Sequence, residues 1–129
     1  MKLRVLIVDD MDSMRLLVTQ YLRRHDDVEV VGEAVDGNEA IKKAKEFTPD
    51  VVLMDISLPG MSGLDVTRKI KSFLPHVRIY LFSAYEVDEF RELVIDSPAD
   101  GFIQKSCLKP ELLDMIGKEL GLRETKKKD

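Results

Sequence analysis

A chain of 129 residues carries 44% apolar residues, 34% charged residues and a formal net charge of −4. That is one domain's length, with enough apolar material for a proper core, and it excludes the disordered and fibrous classes. The acidic balance argues against direct binding of nucleic acid or a membrane surface. A single cysteine, Cys107, excludes an internal disulfide and fits a reducing, cytoplasmic setting.

In chain order, Leu3 to Val8 reads as a short buried strand, too brief for a signal-peptide core, and it runs into Asp9-Asp10. Asp12 or Ser13 is placed to cap a helix whose apolar stripe is Met14, Leu17, Val18, Tyr21 and Leu22. Val28 to Val31 make a second strand, and Gly32 to Gly37 are expected to connect it to a helix from Asn38 to Phe47, stopped by Thr48-Pro49. Val51-Val52-Leu53-Met54 is apolar without interruption, as a strand buried on both faces must be, and Asp55 stands at its end before the Pro59-Gly60 turn. Ser62 caps a third helix to about Leu74 with Leu64, Ile70, Phe73 and Leu74 inward. Val77 to Phe82 form a fourth strand, running into Ser83. Val87, Phe90, Leu93 and Val94 mark a fourth helix stopped by Pro98, and Gly101 to Lys105 a fifth strand. The last helix starts near Pro110 and turns Leu112, Leu113, Ile116 and Leu120 inward. The expected domain is residues 1–122, with 123–129 a charged, frayed tail.

Strand and helix alternate five times with short links, which predicts an α/β fold: one doubly wound, five-stranded parallel sheet with helices on both faces. In such sheets ligands bind outside the carboxyl ends of the strands. Asp9-Asp10, Asp55, Ser83 and Lys105 all fall there. Taken singly, the acids read as caps or turn residues, Ser83 as a turn former and Lys105 as a solvated lysine. Together they place three carboxylates, a hydroxyl and an ammonium at one edge, and three clustered anions call for a cation. Mg²⁺ suits an all-oxygen site that also meets a phosphate. One carboxylate can then act as a nucleophile toward a phosphoryl group, with lysine and hydroxyl on its oxygens.

Val8-Asp9-Asp10, Leu53-Met54-Asp55 with Pro59-Gly60-Met61-Ser62-Gly63, Ser83-Ala84 and Lys105 resemble the receiver domain of two-component response regulators, over residues 3 to 120. The resemblance implies a flavodoxin-like strand order 2-1-3-4-5 and Asp55 as phosphoacceptor. It implies Mg²⁺ held by Asp10, Asp55 and the Ser57 carbonyl, with Asp9 acting mainly through water. Ser83 and Lys105 would read the phosphoryl group, and Ser83 with Phe102 would form the switch. Ser57 and Tyr85 fall at the family's rate-tuning positions. A histidine kinase or histidine phosphotransfer protein would be the donor, and the face made by the fourth helix, fifth strand and last helix would carry the signal. Such a domain catalyses only its own phosphorylation and dephosphorylation, and is a monomer or a phosphorylation-dependent dimer. The resemblance departs at Ser106, where the family often has proline after a cis bond. The segment Asp100 to Ser106 looks like receivers that precede helix-turn-helix output domains. The chain ends nine residues after Leu120, so a stand-alone receiver, or one cut from an output domain, is expected.

Two rivals use related parts. An aspartate-nucleophile phosphohydrolase carries its nucleophile early in an Asp-x-Asp motif, whereas here the acid pair comes first and Ser57 stands where the second Asp would. A mononucleotide binder of the same topology needs a hydroxyl- and glycine-rich first loop, and Asp9-Asp10-Met11-Asp12 would repel its phosphate.

Overall fold

Strands β1 (Leu3–Val8), β2 (Val28–Ala34), β3 (Val51–Asp55), β4 (Arg78–Ser83) and β5 (Gly101–Gln104) form one parallel sheet in the order β2-β1-β3-β4-β5. The computed structural model describes residues 2–84, 92 and 95–128, with side chains as far as Leu122. The segment expected to form the fourth helix, and Tyr85 before it, lie outside the described residues. Helices α1 (Asp12–Leu22), α2 (Gly37–Phe47), α3 (Gly63–Phe73) and the C-terminal helix α4 (Leu108–Lys128) surround the sheet. No described helix is long and apolar enough to cross a membrane.

Alternation along each strand divides the core in two. Val5 and Ile7 of β1, Val51 and Leu53 of β3, and Tyr80 and Phe82 of β4 pack with α1 and α4. Leu6 and Val8, Val52 and Met54, and Ile79 and Leu81 pack with α2 and α3. Strands covered on both faces must be apolar at every position, which is why they read as unbroken runs. The same alternation carries past the strand ends: Asp9 follows Ile7, Asp55 follows Leu53, and Lys105 follows Ile103, all three on the α1/α4 side.

Several local expectations are corrected. Asp12 does not cap α1: Met11 is the N-cap residue and contributes no side-chain cap, while the Asp12 carboxylate, in the first turn, accepts from Arg15. β2 continues through Gly32 to Ala34, because a bulge after Val30 lets Gly32 pair with Leu6, and Gly32 leaves room for the Phe47 ring, 3.3 Å from where a Cβ would stand. α2 begins at Gly37, with the Asp36 side chain accepting from the Glu39 N–H at 2.8 Å. Ser62 caps α3 as expected. Leu17 and Leu113 are exposed, not inward; Thr19, Met115 and Glu119 are buried on those helices instead. β5 stops at Gln104, and Lys105–Cys107 form a 3₁₀ turn in which every peptide is trans. α4 runs to Lys128 through the segment read as a frayed tail, since Arg123 to Lys128 contain neither glycine nor proline to stop it.

Candidate functional site

The carboxyl ends of β1 and β3 are adjacent, and each ends in an acid. Val8 pairs with Met54, which brings Asp9-Asp10 beside Asp55. Ligand oxygens of Asp9, Asp10 and Asp55 lie within 4.8 Å of one another. Asp9 is fully buried and Asp55 is 3% exposed, whereas Asp10 faces solvent.

Each carboxylate is partly fixed by backbone. Asp9 Oδ1 accepts the Met11 N–H at 2.9 Å, and Asp55 Oδ1 accepts the Ser57 N–H at 3.0 Å. These are the short turns that aspartate favours. The remaining oxygens, Asp9 Oδ2 and Asp55 Oδ2, flank Lys105 Nζ at 3.3 Å each. The ammonium donates to Asp55, but toward Asp9 it is only at ion-pair distance: Asp9 Oδ2 is buried without a hydrogen bond among the described residues. Lys105 also lies 5.3 Å from the centre of the Phe82 ring. Burial pushes the Asp55 carboxyl up to about 6, and the charge of Asp9 adds to the rise. The Ser57 N–H and Lys105 oppose it, and burial wins.

Three carboxylates against one ammonium leave the cluster short of positive charge. An orphaned buried oxygen, a second oxygen held by a lone lysine and a solvent-facing acid beside them form a set that fits a hard divalent cation. The cluster of Asp9, Asp10 and Asp55 is thus able to bind a metal.

Ser83 ends β4 one residue past Phe82, the register partner of Asp55, and is 2% exposed. Phe102 lies on β5 opposite Leu81, 37% exposed, at a groove of about 260 Å³ lined also by Tyr80, Glu111, Met115 and Lys118. It is apart from the acid cluster, on the edge strand. Ser57 is exposed and enters the cluster through its backbone N–H.

Two residues were given no role of their own in the sequence reading. Gly63, at the first turn of α3, sits so close to the acceptor strand that a Cβ there would stand 2.2 Å from the Asp55 carbonyl oxygen; its N–H donates to the Ile56 carbonyl at 2.9 Å. A glycine immediately after a serine cap was the available signal. Arg15 donates to the Asp9 carbonyl at 2.7 Å, and its spacing of three from Asp12 was its only trace.

A doubly wound sheet of this strand order, with an acid pair, a third buried acid and a lysine at its carboxyl edge, defines an α/β domain built around a cation-seeking site. Residues 5–117 match the family described as "Response regulator receiver domain", and the chain belongs to it: this is a receiver domain of the response regulators of two-component systems. It is 39% identical over 114 residues to the response regulator GacA of Pseudomonas viridiflava, covering 88% of this chain and 53% of that protein. The response regulator VraR of Staphylococcus epidermidis is 35% identical over 118 residues, covering 92% and 56%. The chain therefore spans about half the length of the curated relatives it matches. Among solved structures, the receiver domain of AraT from Geobacillus stearothermophilus superposes with a TM-score of 0.86 at 26% identity, over 98% of this chain and 99% of that one. CheY in a CheX-CheY-BeF3-Mg²⁺ complex from Borrelia burgdorferi gives 0.78 at 28% identity, over 86% and 84%.

Proposed function

We propose that this domain, residues 1–122, accepts a phosphoryl group on Asp55 from a histidine kinase or histidine phosphotransfer protein, in a Mg²⁺-dependent reaction. The observation that carries the reading is Asp55 itself. It is a buried carboxylate at the end of β3, touched by one lysine and crowded by two further acids, in a chain of the receiver family.

Asp9, Asp10, Asp55 and the Ser57 carbonyl would hold the cation, Asp9 mainly through water. When bound, Mg²⁺ supplies the positive charge that lets an anionic donor approach three carboxylates. A carboxylate oxygen of Asp55 attacks phosphorus; the new O–P bond forms as the bond to the donor's leaving atom breaks, and the electron pair departs with the donor. The Ser57 N–H at Asp55 Oδ1 fixes the carboxylate's rotation, so the attacking oxygen is presented in one direction. Lys105, already at 3.3 Å from Asp55, stays to balance charge on the transferred group, and the Ser83 hydroxyl donates to one of its oxygens. Movement of Ser83 frees space for Phe102, whose partial exposure beside the β5–α4 groove suits a residue with two positions. The phosphorylated face then engages an output domain or partner. Ser57 and Tyr85 set the lifetime of the acyl phosphate by controlling water's approach, with Tyr85 the stronger influence. The domain performs no other turnover.

Intact mass spectrometry after incubation with acetyl phosphate tests the reading. One added phosphoryl group is expected with Mg²⁺, none in chelator, none in Asp55→Asn and far less in Asp10→Asn. Equal labelling of wild type and Asp55→Asn would overturn it.

A further inference from the structure

Asp9 is held on every side but one. Its N–H donates to the Ala34 carbonyl at 3.0 Å, its Oδ1 accepts from Met11, and its carbonyl accepts from Arg15 Nη1 at 2.7 Å. Only Oδ2 is left for the cluster. The Arg15 side chain is 13% exposed, and its remaining nitrogens are taken as well: Nη2 by Asp12 in the same helix and Nε by Glu33 of β2 at 3.3 Å. A guanidinium committed at three points has one position.

The carbonyl it grips belongs to the peptide that joins Asp9 to Asp10. The plane of that peptide sets where the Asp10 backbone goes, and so where its carboxylate stands. Asp10 needs such help: it faces solvent, and no described residue bonds its side chain. Asp9 and Asp55 are steered by burial and by their own turns; Asp10 is steered by neither. We propose that Arg15 is a positioning residue for the cation site, locking the Asp9–Asp10 peptide between α1 and β2 so that Asp10 is presented to a divalent cation. This rests on the cation reading given above.

The ordinary alternative is that Arg15 is one more ion-paired arginine near a helix start, relevant to stability alone. The two accounts differ in the sign of an effect. Direct Coulomb interaction makes a nearby guanidinium unfavourable to a bound cation, so its removal by itself tightens binding. Loss of positioning weakens binding, as outer-shell substitutions at metal sites commonly do, by about 10-fold.

Calorimetric titration of Mg²⁺ into wild type, Arg15→Gln and Arg15→Lys, well below their melting temperatures, separates them. Arg15→Gln is expected to bind Mg²⁺ about 10-fold more weakly. Arg15→Lys keeps the charge but not the fork, and is expected to lose at least about 3-fold. Should Arg15→Gln fail to melt cooperatively, Arg15→Lys carries the test alone. Binding in the variants as tight as wild type, or tighter, overturns the role of Arg15 and leaves the cation reading intact. Wild type without measurable Mg²⁺ affinity overturns both.

Discussion

At the start of β4, Arg78 and Lys71 meet Asp100 and Glu119; past the ends of β1 and β3, Lys105 meets Asp9 and Asp55, with Asp10 beside them. In the first cluster two cations face two acids. Lys71 reaches Asp100 at 2.7 Å, Arg78 reaches Asp100 at 3.1 Å and Glu119 at 3.2 Å, and the Tyr80 hydroxyl donates to the same Glu119 oxygen. Backbone completes it, with the Ile79 N–H on Asp100 at 2.8 Å. The second cluster has an excess of acid, an orphaned buried oxygen and a carboxyl pushed up to about 6. Charge that serves the fold is matched and satisfied where it stands; charge that serves a ligand is left incomplete until the ligand arrives.

The contrast predicts opposite responses to removing one acid. Glu119 is 4% exposed, and cutting it to alanine leaves the Tyr80 hydroxyl unpaired in the interior and Arg78 with Asp100 as its one remaining acid among the described residues. Glu119→Ala should cost on the order of 3 kcal/mol in urea denaturation. A loss below about 1 kcal/mol would mean that this cluster is no more committed to the fold than a surface ion pair.

Asp55→Asn should do the reverse. The folded pKa of Asp55 lies above its unfolded value of 3.8. Its contribution therefore favours the fold below about pH 4 and is lost as pH rises through about 6. With chelator present at pH 7 to 8, the amide variant should be more stable than wild type by about 2 kcal/mol, and the gap should close toward pH 4. A gap that does not vary with pH would locate the effect outside the titration of Asp55.

How much of this was legible beforehand follows from what each feature depends on. The strands showed themselves because parallel strands covered on both faces must be apolar throughout, and Asp9, Asp10, Asp55 and Lys105 showed themselves by interrupting those runs at their carboxyl ends. β2 was read short because Gly32 looks like a turn until the Phe47 ring that fills its place is known. Asp12 looked like a cap because a spacing of three from Arg15 does not by itself show that Arg15 claims its carboxylate. The matched cluster was invisible: Lys71, Arg78, Asp100 and Glu119 are far apart in sequence and come together only once α3, β4, β5 and α4 have packed. Glu119 did leave a trace, an acid seven residues after Leu112 and three after Ile116 on the inward stripe of α4.

The central claim, that the acid cluster is incomplete without a cation while the other cluster is not, can be read from thermal melts across a Mg²⁺ series. Binding to the folded state alone stabilises wild type by about 1.4 kcal/mol at tenfold excess over the dissociation constant. Glu119→Gln should melt lower than wild type yet gain the same increment from Mg²⁺, and Asp10→Asn should gain little or none. A wild-type melt that does not move with Mg²⁺, or an Asp10→Asn melt that moves as far as wild type, would contradict the account.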